Sequence, residues 1–265
     1  MKRVKAKKYL GQHFLNDLCI AQKIVGCLQT PPFQSIEVGS GMGILTRFLI
    51  ERKDLDMRYV EIDNESIIYL QNKYPEIKNQ LIKGDFLELN IEEVFPNGEC
   101  SIIGNFPYHI SSQILFKALN NRDKITSIVG MFQYEVGKRI ASGYGSKEYG
   151  ILSVLLQSFY DIEYLFTVDE QLFTPPPKVK SGVIRLTRNN VKKLVCDEKI
   201  FVNVVKSAFN QRRKTLRNSL NKLPYDLKSV KHLPIFSLRP EQLSVERFWE
   251  LTCMIEKLPY IEKIL

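Results

Sequence analysis

The sequence predicts an α/β fold, a parallel sheet with helices on both faces, followed by a small all-helical C-terminal domain. Three observations carry this. Between Ser35 and Gln133, apolar runs of strand length alternate with stretches of helical periodicity, the rhythm of βαβ units. The first run ends in closely spaced glycines, which let a strand turn tightly into a helix. From about Asp197 onward the periodicity is helical only.

Taken in order, "SIEVG" (35–39) is a short strand and "ILTRFLIERK" (44–53) has helical spacing. "MRYVEI" is the second strand. "NESIIYLQNKY" is the second helix, N-capped by Asp63 or Asn64 and ended before Pro75. "NQLIKGD" is the third strand, "CSIIGN" the fourth, "ISSQILFKALN" the helix after it and "ITSIVGMFQ" the fifth strand. After Tyr149 the pattern changes. "YGILSVLLQSFY" reads as a buried helix, and "DIEYLFTV" and "SGVIRLTR" as two strands either side of "FTPPPKVK", a hairpin-like pair able to close the sheet edge. "EKIFVNVVKSAFNQRRKTLRNSL" and "SVERFWELTCMIEKL" are helical, with a proline-punctuated stretch between them. The short polar run "RNNVKK" sets the boundary, giving residues 1–190 as the sheet domain with a basic N-terminal segment and 191–265 as the helical domain.

At 265 residues, 44% of them hydrophobic, the chain is long enough for one soluble domain and a smaller appendage. No run approaches 18 apolar residues, so no membrane span is expected. The basic start "MKRVKAKKYLGQHFL" lacks the apolar stretch of a signal peptide, and its lysines differ from the Arg- and Ser-rich composition of a mitochondrial presequence. Five cysteines with no CxxC pair argue against a disulfide framework, and three histidines without ligand spacing argue against a metal. A reducing cytoplasm is the simplest setting.

Lysines and arginines number 38 against 29 acidic residues, a net charge of +9, which favours a polyanionic partner. The charge is also clustered. Lys2, Arg3, Lys5, Lys7 and Lys8 precede any acid, and Lys206, Arg212, Arg213, Lys214, Arg217 and Lys222 form a second acid-free group. Either alone can be a solvated run; together they point to a nucleic-acid surface.

"EVGSGMGILT" places Gly39, Gly41 and Gly43 after the first strand. The dinucleotide fingerprint G-x-G-x-x-G would need a glycine at Ile44; the spacing here is G-x-G-x-G. No G-x-x-x-x-G-K-[ST] loop is present, which disfavours a P-loop nucleotide triphosphatase. Alone, the glycines are weak evidence, since a purely structural βα turn also uses them. Glu61 ends the second strand, where a carboxylate can accept both ribose hydroxyls. Asp85 ends the third and can accept from an adenine amine, with the Phe86 N–H beside it. Three consecutive strand ends thus fit a bound adenosine.

The fourth strand delivers Asn105, Phe106, Pro107 and Tyr108 to the same crevice. An isolated N-x-P-Y is usually a turn; at this strand end it suits chemistry on an adenine amine. The N6 lone pair is delocalised into the ring, so the amine is a poor nucleophile. Acceptors on both N6 protons, the Asn105 side-chain oxygen and the Phe106 carbonyl, favour a lone pair out of the ring plane and stabilise charge developing on nitrogen. Pro107 stiffens that carbonyl. Tyr108 offers a stacking face for a base taken out of its helix.

"EVGSGMG", "VEID", "GDF" and "NFPY" resemble motifs of S-adenosylmethionine-dependent nucleic-acid amino methyltransferases. With "KKYLGQHFLND", "FTPPPKVKSGVIRL" and "FNQRRKTLRNSL", nearly the whole chain is similar to the small-subunit ribosomal RNA adenine dimethyltransferase family. The resemblance implies a Rossmann-like S-adenosylmethionine-dependent methyltransferase sheet. It puts Gln12, His13, Asn16 and Leu18 at the cofactor's mouth, Gly39 and Gly41 at its methionine portion, Glu61 with Ile62 at the ribose and Asp85 with Phe86 at the adenine. Asn105 falls between cofactor and target. Phe173 is expected opposite Tyr108 on the target adenine; by its residue type alone it is as well a core phenylalanine before a proline-rich turn. Members often have Asn at the position of His13 and Leu at that of Phe106. Lys7, Lys8, Arg212, Arg213, Lys214 and Arg217 are assigned to RNA. The implied reaction is four methyl transfers to two adjacent adenosines near the 3′ end of 16S rRNA, in a pre-30S particle, by a monomer without a metal. The rivals are a 23S rRNA adenine dimethyltransferase of the resistance type and a non-catalytic assembly or transcription factor on the same fold.

Overall fold

The computed structural model describes residues 4–96 and 98–260. Lys2 and Arg3 of the first basic cluster lie outside them. Among the described residues nine strands form: β1 (Phe14–Leu15), β2 (Gln34–Val38), β3 (Asp56–Glu61), β4 (Leu81–Lys83), β5 (Cys100–Asn105), β6 (Ile125–Gln133), β7 (Tyr160–Val168), β8 (Phe173–Thr174) and β9 (Ser181–Arg188). Seven make one sheet in the order β4-β3-β2-β5-β6-β9-β7. The five strands β4 to β6 are mutually parallel and β9 runs antiparallel to β6. The expected α/β sheet and its closing strand pair are therefore present.

The inner strands read as unbroken apolar runs because both of their faces are covered. Ile36, Ile102, Ile103, Ile128 and Val129 are all fully buried, each worth roughly 1.5–3 kcal/mol against exposure. Two of the serines among them pair with each other: Ser35 and Ser101 face one another across β2 and β5 and hydrogen-bond through their hydroxyls. From β2 the chain moves outward to β3 and β4, then returns to the other side of β2 for β5 and β6. Right-handed crossovers place the helices of those two excursions on opposite faces. The reversal between β2 and β5 opens a crevice at the strands' carboxyl ends.

Local signals were realised unevenly. Asp63 is the N-cap of helix Asn64–Lys73, its side chain accepting from the Glu65 N–H. The helix expected over 44–53 is one α-helical turn, Thr46–Leu49, continued by hydrogen-bonded turns to Leu55. Helix Leu18–Gly26, capped by Asp17, was not read from the sequence, nor was the small pair of β1 with β8. The long C-terminal helical signal breaks. Helix Glu198–Asn210 leaves helical geometry at Gln211, and a separate turn, Leu216–Ser219, begins after Thr215. The break falls on Arg212, Arg213 and Lys214; in an unbroken helix Arg213 and Lys214 would stand four and three positions before Arg217, spacings at which like charges destabilise a helix.

The chain divides into two compact units. The first runs to Gly137 and adds Asp161–Arg188; the second is Lys138–Tyr160 with the chain from Asn189. This differs from a single cut at residue 190, because helix Ile151–Gln157 packs on helices Glu198–Asn210 and Val245–Glu256. Within that second unit Trp249 donates to the Ser158 hydroxyl at 3.3 Å, and Tyr149 meets Phe209 edge-on. Among the described residues no helix is long and apolar enough to cross a membrane.

Candidate active site

A cavity in the first unit is walled by the loop after β2, the ends of β3 and β5, and Asp85 and Phe86 after β4. Gln12, His13, Gly39, Gly41, Glu61, Ile62, Asp85, Phe86 and Asn105 to Tyr108 all contribute to that wall, so the four strand ends singled out in the sequence converge. Asn16, Leu18 and Phe173 lie outside it. Leu18 is 45% exposed, whereas Phe173 is buried in the core around Leu15 and Val168.

Gly39 and Gly41 have φ of 75° and 55°, a conformation that glycine adopts without strain. A Cβ on Gly39 would meet nothing within 4 Å, so open cavity lies before that backbone. The loop is held by Glu61, which is 4% exposed. Its Oε2 accepts from the Gly41 N–H at 2.6 Å, and its Oε1 from those of Ile62 and Asp63 at 2.8 Å each. Burial raises the carboxyl pKa, opposed by these three donors. Carboxylate lone pairs remain for a ligand's hydroxyls, and Ile62, half exposed beside them, gives an apolar surface for a ring. Glu61→Ala is expected to weaken nucleoside binding by roughly 1.5–3 kcal/mol per charged bond lost, about 10- to 150-fold in Kd, and to lower the melting temperature as the loop loosens. Calorimetric titration with an unchanged Kd would refute the ribose role.

Glu37, at the base of the same loop, is 2% exposed and accepts from the Thr46 hydroxyl at 2.6 Å. Burial pushes its pKa up to about 7, against hydrogen bonds that pull it down. The folded protein thus holds this proton between pH ~4.5 and ~7 while the unfolded chain releases it. The sign follows: stability from this group is present below ~4.5 and falls by about 3 kcal/mol as pH rises through 7. Denaturant melts at pH 5 and 8 should show a wild-type loss that Glu37→Gln abolishes; equal losses in both would overturn the assignment.

β5 is buried from Cys100 to Gly104 and emerges at Asn105. The Phe106 ring returns to the core and is 1% exposed. It lies across Gly104 and Gly130, which are paired between β5 and β6. A Cβ on either glycine would collide with it. With the ring committed to the core, the backbone of Phe106 is the part able to serve the cavity. Asn105 Nδ2 donates to the His13 carbonyl at 2.9 Å. A carbonyl only accepts, so this contact fixes the amide and turns Oδ1 away as a free-standing acceptor. The Tyr108 hydroxyl pairs with that of buried Ser181 at 2.7 Å, and burial raises its pKa, partly offset by that bond.

Leu10 to Leu15, within the segment from Lys7 to Asn16, roof the cavity. Lys7 ion-pairs with the cap residue Asp63 and, at 3.3 Å, with Glu65; it is therefore engaged internally. Gly11 sits so close to the His109 ring that a Cβ would come within 2.6 Å of it. His13 stacks on Tyr108, Phe14 packs on Gly41, and Asn16 donates to Thr174 Oγ1 at 2.7 Å. Sequence reading missed the parts played by Gly11, Phe14, Ser181 and the His13 carbonyl. Each acts through a partner 27 or more positions away in the chain, and carries no local signature. Of the other residues assigned to RNA, Lys8, Arg213, Lys214 and Arg217 are exposed. Arg212 donates to the carbonyls of Ser146 and Lys147.

Residues 3–232 match the family model described as ribosomal RNA adenine dimethylase. The chain is 54% identical over 266 residues to ribosomal RNA small subunit methyltransferase A of Parabacteroides distasonis, covering 99% of this chain and 98% of the relative. It is 55% identical over 257 residues to the protein of the same name from Cytophaga hutchinsonii, covering 96% and 99%. Among solved structures it resembles a dimethyladenosine transferase from Plasmodium falciparum, with TM-score 0.77, 23% identity and coverage of 92% and 98%. It also resembles the 23S rRNA methyltransferase ErmE, with TM-score 0.66, 25% identity and coverage of 91% and 99%.

Proposed function

The chain belongs to the ribosomal RNA adenine dimethylase family, and from that premise we propose that it methylates N6 of two adjacent adenosines near the 3′ end of 16S rRNA, giving N6,N6-dimethyladenosines. The methyl donor is S-adenosylmethionine, the RNA is held in a pre-30S particle, and the protein acts as a cytoplasmic monomer in small-subunit biogenesis. The observation that carries this is the convergence of a nucleoside cradle and a rigidly oriented Asn105 acceptor in one cavity.

The residues fit the donor. The open space before Gly39 suits its methionine portion, the Glu61 oxygens its ribose hydroxyls, and Ile62, Asp85 and the Phe86 amide its adenine. When bound it supplies a methyl group made electrophilic by a sulfonium. The protein's own part is to prepare the nucleophile. Asn105 Oδ1 and the Phe106 carbonyl accept the two N6 protons, and Tyr108 holds the ring flat against its face. As the N–C bond forms and the donor's S–CH3 bond breaks, which would leave S-adenosylhomocysteine as a neutral thioether, these acceptors stabilise the positive nitrogen until it gives one proton to water. After the first transfer only one N6 proton remains, so one acceptor must release its partner for the second. Phe173 can face the target base only by leaving its place in the core.

Labelled methyl transfer should appear on 30S precursors and not on protein-free 23S rRNA. Transfer to 23S rRNA alone would establish the rival specificity, and RNA binding without transfer the non-catalytic one. The names of the curated relatives favour the small subunit. Lys8, Arg213, Lys214 and Arg217 serve RNA phosphates, so each replacement by alanine should flatten the salt dependence of particle binding by about one unit of slope.

A further inference from the structure

We infer that the imidazole of His13 occupies the target adenine's place on Tyr108, and that the incoming base displaces it. This rests on the reaction proposed above. The His13 and Tyr108 rings are stacked, with centroids 5.6 Å apart and planes 25° from parallel. Two stacked rings at that spacing leave no room for a third between them. The stacked face is also the one the substrate needs. The carbonyl of His13 receives the Asn105 amide at 2.9 Å, so the residue whose ring lies on Tyr108 also touches Asn105. A base that presents N6 to Asn105 Oδ1 while lying on Tyr108 has to fit beside that same residue.

The imidazole is placed from outside the cavity. Its Nδ1 lies 2.8 Å from the Pro175 carbonyl; because a carbonyl only accepts, Nδ1 carries the proton and donates. Rotation about the His13 side chain breaks this bond and the stack, and bares Tyr108. The backbone stays, so its carbonyl continues to orient Asn105. His13 therefore has two separable parts. The main chain positions the acceptor, and the ring keeps the base seat filled until an adenine outcompetes it.

The test is the KM for 30S precursor particles, measured for each variant at its own saturating donor concentration, since His13 also borders the donor cavity. His13→Ala removes the competitor and leaves the main chain, so its KM should fall about two- to ten-fold, the span of one aromatic pair. His13→Phe restores a ring to Tyr108 and should return KM to within about twofold of wild type. A gain of affinity from a truncation is not what loss of a merely structural contact produces. A KM unchanged or raised in His13→Ala, or lowered equally in His13→Phe, would overturn the inference. If the proposed reaction itself is wrong, the wild-type protein transfers no methyl group to these particles, an outcome separate from all of these.

Discussion

Asn105→Ala is expected to lower kcat by about two to three orders of magnitude, the usual consequence of deleting one oriented group at developing charge, while particle binding stays near wild type. The reason lies in where the amide is aimed. Its nitrogen is spent on the His13 carbonyl, so its oxygen is committed as an acceptor before any substrate arrives. Alanine removes that acceptor, leaving the amine delocalised into its ring. Asn105→Asp is a sharper probe. It retains an acceptor but sets a carboxylate against the His13 carbonyl, so the roof above the cavity should loosen, with donor affinity falling along with kcat. Single-turnover methyl transfer beside filter binding of particles separates the steps. Near-normal turnover in Asn105→Ala would sink the acceptor argument.

Gly130→Ala should cost activity comparably, from a position that touches neither ligand. Its Cβ would overlap the Phe106 ring and come within 2.6 Å of Phe132. Overpacking of this kind costs roughly 1–3 kcal/mol of stability. The larger effect falls on geometry. The ring can escape only by shifting the backbone that bears it, and a displacement of about 1 Å in a positioned group can cost on the order of 10²-fold in rate. The second change Phe106→Leu narrows the side chain and should recover most of the loss, since in the proposed reaction only the main chain of residue 106 takes part. A thermal melt and kcat for the single and double variants decide this. If Gly130→Ala melts lower yet turns over normally, the packing of Phe106 does not set its carbonyl.

Much of the site is legible in the sequence because strand ends in a parallel sheet share one rim. Once the strands of "SIEVG", "MRYVEI", "LIKGD" and "CSIIGN" are placed in order, Gly39, Glu61, Asp85 and Asn105 must fall at neighbouring carboxyl ends. The glycine in "SIIGN" and that in "SIVGM" carry a signal of a different kind. Nothing local requires them, and only the pairing of β5 with β6 shows that they make room for one ring.

The sequence by itself determined the succession of strands along the chain, the strand-end residues that meet at one cavity and the pairing of an amide with an aromatic at the fourth strand end. These follow from periodicity and residue type over a few positions, which act through local backbone geometry and burial. The tertiary structure alone decided which way the Asn105 amide faces, that Lys7 is held by Asp63 and Glu65, that Phe173 sits in the core and that His13 covers Tyr108. Each of these depends on a partner distant in the chain. A side chain's hydrogen bonds and stacking are set by whatever the fold brings within about 4–6 Å of it, and no pattern of neighbours in sequence encodes that.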